Sequence, residues 1–230
     1  ASSLASNVGF IQLMVCTGLS SGLVMLGAQY WGKKDIESIK TLIGIALRIV
    51  LVVGLIFGLS AIFIPELLMK LFTNEEQLIT TGCMYLRAVG ISYIFFSISQ
   101  MLQAGFKSIE RVKIVTISST STLFFNIGLN AVFIYGLFGI PKLGIMGVGI
   151  ATSISRFVEF VFCLIYAYKQ KDMNFSLSVI LRKSKILTRD FLKYSLPALG
   201  NELVWGSAFS VYSAILGHLG EDIVAANSVV

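Results

Sequence analysis

Charge is scarce in this chain. Only 13% of its 230 residues are Asp, Glu, Lys or Arg, against about 25% in an ordinary soluble domain. With 56% hydrophobic residues and a mean hydropathy of +0.85, that shortage excludes an ordinary water-soluble globule. Histidine is almost missing. His218 is the single one, so no His-x-x-x-His pair exists to hold a catalytic metal. The three cysteines, Cys16, Cys83 and Cys163, lie inside apolar stretches, with neither ligand spacing nor a disulfide framework. They read as small buried hydrophobes, and no metal site is expected. The net charge of +6 comes without a basic patch interleaved with aromatics, so no nucleic-acid partner is expected. The sequon Asn174-Phe175-Ser176 falls in a gap assigned below to the cytoplasm and is discounted.

Long apolar runs fill the rest. Six stretches, at about 6–30, 38–64, 77–106, 112–138, 144–168 and 191–219, each supply the roughly 20 residues a helix needs to cross the hydrocarbon core. Helices are expected because hydrocarbon satisfies no free backbone N–H or C=O. Basic residues fall into alternate gaps. The first, third and fifth gaps, with the span ends bordering them, hold thirteen of the eighteen Lys and Arg, whereas the second and fourth gaps hold only Lys70 and Lys142. The positive-inside rule puts the odd gaps in the cytoplasm and both visible ends outside. The lipid bilayer is therefore the chain's first partner. In the second gap, Pro65 opens a short segment suited to lying on the membrane surface, and Thr73 with Glu76 spells a capping box for the third span. Residues 172–190 read as an amphipathic cytoplasmic linker between residues 1–171, one bundle of five spans, and residues 191–230, which begin a second unit. The sixth span is expected to stand apart from that bundle, with an apolar face exposed. Leu4-Ala5-Ser6-Asn7 and Val224-Ala225-Ala226-Asn227 repeat at an offset of 220 residues, and internal repeats are common in secondary transporters. Beginning at Ala1, almost inside a span, the chain reads as an internal fragment.

Polar residues inside the spans mark the candidate site. In the fourth span Thr122, Asn126 and Asn130 recur every four residues, with Ser119 on the same face. The hydroxyls serve helix packing or a cavity equally well, while the two amides, each with four hydrogen-bonding sites, favour a cavity. Arg156 and Glu159, three apart in the fifth span, are expected to form an intramembrane ion pair, because a lone charge at bilayer depth costs about 2.5–3.5 kcal/mol. Glu202 is the acid of the last span. It follows Pro197, Gly200 and Asn201, a stretch able to loosen a helix and free its carbonyls, and is the leading proton or sodium site. Asn201 and Trp205, beside it, join Ser119 and Thr122 as cavity-lining candidates. Gly18 with Gly22, and Gly54 with Gly58, mark close helix contacts.

Several segments together resemble the multidrug and toxic compound extrusion family of the multidrug/oligosaccharidyl-lipid/polysaccharide flippase superfamily. They are Gly22 to Asp35 with Gln29 and Gly32, Tyr85-Leu86-Arg87, Asn126 to Asn130 followed by Phe133 to Gly136, Gly144 to Thr152, and Leu196-Pro197. The resemblance implies an all-α, twelve-helix, two-lobe transporter of which this chain holds helices two to seven. It also implies a bacterial multi-pass cell-membrane protein, acting as a monomer, that exports small amphipathic, often cationic compounds in exchange for Na+ or H+ and uses no other cofactor. In one branch of the family a coupling site pairs acids on helices one and five near an asparagine; Asn126 matches that asparagine and Asn130 stands where the acid would be. In another branch a glutamate on helix seven serves, for which Glu202 is the candidate. A lipid-linked oligosaccharide flippase is the alternative within the superfamily. A membrane-embedded enzyme is the remote one, disfavoured by the want of a metal or nucleophile constellation.

Overall fold

A computed structural model describes residues 2–73, 75–139, 141–170 and 182–218. Among the described residues, seven α-helices follow one another: α1 (Ser2–Gly32), α2 (Ile36–Phe63), α3 (Pro65–Lys70), α4 (Glu76–Ser108), α5 (Val112–Tyr135), α6 (Gly144–Lys169) and α7 (Lys185–His218). No strand occurs among the described residues. Five helices of the described residues, α1, α2, α4, α5 and α6, are long and apolar enough to cross a membrane. The sixth expected span lies in α7, which has 34 residues but carries Lys185, Arg189, Asp190, Lys193 and Glu202. This is the expected all-α, polytopic architecture.

Local chemistry sets the ends. Asp35 caps α2, its carboxylate accepting from the Ser38 N–H (3.1 Å) and the Ser38 hydroxyl (2.6 Å). Pro65 sits in the first turn of α3, where its missing N–H costs nothing. Gly136 closes α5 in the left-handed region at φ 72°. The Thr73–Glu76 capping box does not form. Helix α4 begins later, with Glu75 at its cap position, and Thr73 instead accepts from the Glu75 N–H at 3.2 Å. Residues 185–190, expected in the linker, are the first turns of α7, because the apolar periodicity of Ile186 and Leu187 continues into Phe191. Residues 172–181 of that linker and the second copy of the repeat, 224–227, lie outside the described residues.

Helix α4 is the hub, packing on α1, α2, α3 and α6, while α5 leans mainly on α6. The core near the basic end gathers Leu23, Ile39, Leu42, Met101, Phe106 and Phe191; a second cluster around Val8, Met69, Leu86 and Tyr93 fills the other end. Large apolar side chains such as Val52, Ile56, Phe124, Ile127 and Ile165 point outward, as lipid-facing positions must.

Helix α7 does not stand clear of the bundle. It lies lengthwise along α1, with a shorter contact to α2. The glycines of α1 explain the closeness: a Cβ on Gly18 would come within 2.5 Å of the Leu199 Cα, and one on Gly22 would overlap Ser195. With no side chain there, the two backbones touch. The other face of α7 stays bare, with Leu196 55%, Val204 73% and Val211 57% exposed. Residues 18–22 also spell the Gly-x-Ser-x-Gly of a hydrolase elbow. Ser20, however, lies within α1 and donates to the Thr17 carbonyl (2.9 Å), so no strained strand-to-helix turn presents it as a nucleophile.

Candidate functional site

A polar layer crosses the bundle where α1, α4 and α6 meet. Gln12, fully buried on α1, donates through Nε2 to the Tyr93 carbonyl (2.7 Å) and to Ser97 Oγ (2.8 Å) on α4. Further along α4, Gln103 Nε2 donates to Glu159 Oε1 (2.9 Å) on α6. The other carboxylate oxygen of Glu159 accepts from Arg156 Nη1 at 2.7 Å. Glu159 is 4% exposed while the Arg156 side chain is 37% exposed. The acid is thus the sealed end of the pair, and the guanidinium is the end that reaches open space. Arg156 also stacks on Phe96, 4.6 Å from the ring centroid, which shields its charge on one face.

Beside this layer lies a cavity of about 570 Å³. Its wall includes Asn7, Phe10, Gln12, Tyr85, Tyr93 and Arg156. Aromatic rings and a few convergent polar groups are what a site for a drug-sized organic molecule needs. Gln12 Oε1 is buried without a hydrogen-bond partner, so the amide holds itself in place through its nitrogen and keeps an acceptor in reserve.

The asparagines of α5 are in a different place. Asn126 Nδ2 donates to Ser155 Oγ on α6 (3.3 Å), and Asn130 Nδ2 donates to Asn126 Oδ1 (3.0 Å). This leaves Asn130 Oδ1 buried and unpartnered. Both face α6. Thr122 is buried, but its hydroxyl is spent on the Ser118 carbonyl of its own helix (2.9 Å). Ser119 is exposed and is not brought to the asparagines; Ser118 takes the buried position instead, against Cys163 Sγ (3.7 Å).

On α7, Ser195, Leu199, Glu202 and Gly206 recur at helical spacing. Ser195, Leu199 and Gly206 meet Gly22, Gly18 and Met14 of α1, so Glu202 lies in the register of the α1–α7 seam. It is half-buried, and no hydrogen bond or ion pair to it is present among the described residues. The helix runs unbroken through Pro197, which only withholds a donor from the Lys193 carbonyl; the loosened stretch expected before Glu202 is absent. Asn201 is exposed, and the Trp205 ring lies 6.5 Å from that of Phe10, at the cavity wall.

Of the residues singled out from sequence, then, Arg156 lines the cavity and Trp205 approaches it through Phe10. Asn126 and Asn130 form their own pair, and Glu202 belongs to a third place. Gln12, Tyr85, Tyr93 and Asn7 were not singled out for the cavity. Gln12 carries a readable signal, a lone amide amid apolar residues, and the reasoning applied to Asn126 covers it equally. Tyr85 and Tyr93 carry none, since aromatic residues in an apolar helix look the same facing lipid or cavity.

Known proteins resemble this chain in sequence and in fold. The chain is 28% identical over 229 residues to the "Probable multidrug resistance protein YoeA" of Bacillus subtilis, a match covering 96% of this chain and 48% of that protein. It is 27% identical over 234 positions to the multidrug resistance protein NorM of Vibrio parahaemolyticus, covering 100% of this chain and 50% of that one. The chain thus spans about half the length of the curated relatives it matches. Among solved structures, the inward-facing form of a multidrug resistance MATE family transporter of the MOP superfamily superposes with a TM-score of 0.80 at 17% identity, covering 94% of this chain and 49% of that one. An outward-facing form superposes with 0.82 at 17% identity, covering 93% and 47%. At such identity the likeness is one of fold. A family model described as MatE matches residues 1–132 of the 230. A bundle of membrane-length helices enclosing an aromatic and amide-lined cavity, in a chain matched by that model over more than half its length, belongs to the MatE family.

Proposed function

We propose that this chain is the substrate-binding half of a cation-coupled antiporter that exports small amphipathic organic compounds in exchange for Na+ or H+. The observation that carries this reading is the cavity of about 570 Å³ between α1, α4 and α6. Phe10, Tyr85 and Tyr93 line it, and Gln12 at its wall keeps a buried Oε1 without a hydrogen-bond partner among the described residues. Such a wall holds flat, partly apolar molecules with little regard for detailed shape, and an unused acceptor welcomes a ligand N–H or ammonium.

Coupling needs a group whose interactions change when a cation arrives. Glu202 fits, being a carboxylate in the α1–α7 seam without a counter-charge among the described residues. Bound to a proton or Na+, it is neutralised and tolerates an apolar, closed seam; bare, it demands water and favours an open one. A cation then shifts the population of two arrangements by its different affinity for each. The named multidrug resistance relatives support the export of organic compounds. Asn126 and Asn130, with one unspent acceptor, are the second place for a cation.

The test is Glu202→Gln in the protein as expressed in cells, with drug accumulation followed under an imposed Na+ or H+ gradient. The variant should reach the membrane at the wild-type level and lose gradient-driven efflux. Wild-type efflux under both gradients would remove Glu202 from coupling.

A second reading has one observation in its favour. The charged side chain on the cavity wall is Arg156, a cation, which suits an anionic head group such as that of a lipid-linked oligosaccharide. Transfer of a fluorescent polyprenyl-pyrophosphate sugar across vesicles, lost on Arg156→Gln, would favour this flippase reading; drug efflux insensitive to that substitution would favour the antiporter.

A further inference from the structure

At the basic end of the bundle, α2 and α7 enclose a second groove of about 750 Å³, well away from the cavity described above. Five cations line it: Arg48 from α2, Lys183 just before α7, and Lys185, Arg189 and Lys193 from α7. The three on α7 stand four residues apart and so form one stripe along one helix face. No Asp or Glu is among the groove's lining residues. Lys185, Arg189 and Lys193 are all exposed, and no ion pair to them is present among the described residues. Like charges at this spacing repel, so the stripe weakens its own helix unless an anion lies against it. Arg48 is spent only in part: its Nη2 donates to the Arg182 carbonyl (2.8 Å), which brings the start of α7 to the side of α2. The Arg182 guanidinium in turn pairs with Glu37. That acid, already shared with Lys40 at 3.0 Å, is not a counter-charge for the stripe.

The floor of the groove is apolar. Ile45 and Ile49 of α2 face Leu192 and Leu196 of α7 there. From Lys185 to Leu196 the helix rises roughly 16 Å, at about 1.5 Å per residue. The groove therefore runs from head-group depth into hydrocarbon. An inorganic phosphate would meet the cations and leave the floor bare. A phospholipid meets both, its phosphate accepting from guanidinium and ammonium donors and its acyl chain covering the floor.

We propose that the groove between α2 and α7 binds an anionic glycerophospholipid, its phosphate held by Arg48, Lys185, Arg189 and Lys193 and one acyl chain lying on Ile49 and Leu196. The basic end is the cytoplasmic end by the distribution of Lys and Arg, so the ligand comes from the inner leaflet. Such a lipid staples α7 to α2 and neutralises the stripe.

The protein, purified in a neutral detergent, is offered dioleoylphosphatidylglycerol, dioleoylphosphatidylcholine or millimolar inorganic phosphate, and retained lipid is counted by native mass spectrometry. Wild type should retain phosphatidylglycerol over phosphatidylcholine by about tenfold or more, since each basic residue near anionic lipid contributes about 1 kcal/mol. Inorganic phosphate should not displace the lipid. The variant K185Q/R189Q/K193Q should lose the preference, whereas K33Q/K34Q/K107Q, which removes the same charge elsewhere at the basic end, should keep it. The single exchanges Arg189→Gln and Arg189→Lys, at an exposed position, should lower and keep retention respectively, which separates lipid binding from misfolding. Equal retention of both lipids by wild type, equal loss in the two triple variants, or displacement by inorganic phosphate would overturn the proposal.

Discussion

Two carboxylates sit inside apolar helices of this chain and are held in opposite ways. Glu159, on the α4–α6 seam, is 4% exposed and accepts from Arg156 at 2.7 Å and from Gln103 at 2.9 Å. Glu202, on the α1–α7 seam, is half-buried with no such partner among the described residues. Burying a charge is expensive unless it is paired and hydrogen-bonded. Glu159 meets that condition with groups of its own protein, so its seam is a fixed joint that also aims Arg156 at the cavity. Glu202 has no such groups around it among the described residues. The seams differ in the same sense. On α4–α6, side-chain bonds span the interface; on α1–α7, small residues touch, and Ser195 Oγ is buried without a partner. One seam is joined by side-chain bonds and the other by close backbone packing.

This contrast is broken most severely at Glu159. Glu159→Leu leaves Arg156 without its anion and Gln103 without its acceptor. Breaking a buried pair from one side costs about 3–5 kcal/mol; Arg156 is 37% exposed, and water recovers part of its solvation, so the lower end, about 3 kcal/mol, is expected. Thermal unfolding in detergent measures it. Adding Arg156→Leu should recover part of the loss, and a single variant no worse than the double would show that the pair is not what joins α4 to α6.

The α1–α7 seam should yield less. Gly22→Leu drives a side chain into Ser195, an overpacking worth about 1–3 kcal/mol. Gly32→Ala, with nothing within 4 Å of the added Cβ, should leave stability unchanged. If both are silent in thermal unfolding, α7 does not rest on α1.

Glu202→Gln sharpens the comparison by doing little to the fold. With no partner to lose, it should stay within about 0.5 kcal/mol of wild type, even as efflux is lost. A fall in stability matching that of Glu159→Leu would make the two acids alike.

The smallest effect belongs to a third carboxylate, Asp35, half-buried at the start of α2. The Ser38 hydroxyl, and then its backbone N–H, hold its pKa below the usual carboxylate range. A folded pKa lower than the unfolded one means this contribution is complete above the unfolded value, about 3.9, and fades as pH falls through the folded value. Asp35→Asn should therefore flatten the acid limb of unfolding midpoints taken from pH 5 to 3. An unchanged limb would show that the cap carries no pH dependence.

Much of this was legible beforehand. The spans follow from apolar length, the Arg156–Glu159 contact from a three-residue spacing, and the glycine contacts from Gly18 and Gly22. Ser119 was placed with the asparagines because spacing gives a residue's angle around its helix, but not how far the neighbouring helix extends beside it. The loosening expected after Pro197 failed for a related reason: one missing hydrogen bond weakens a helix without breaking it when flanking turns are packed.

The sequence alone determined that this chain lives in a membrane as helices, which end is basic, and which family it resembles, because apolar length, charge distribution and residue order are properties of one dimension. Tertiary structure decided that Gln12, Tyr85, Tyr93 and Arg156 share a cavity and that α7 lies on α1. It decided too that Lys185, Arg189 and Lys193 face Arg48 across a groove. Residues 12 and 156 lie on different helices, and only the packing of α1, α4 and α6 brings them together. No local pattern records it, since helix periodicity says which face is polar but not what that face meets.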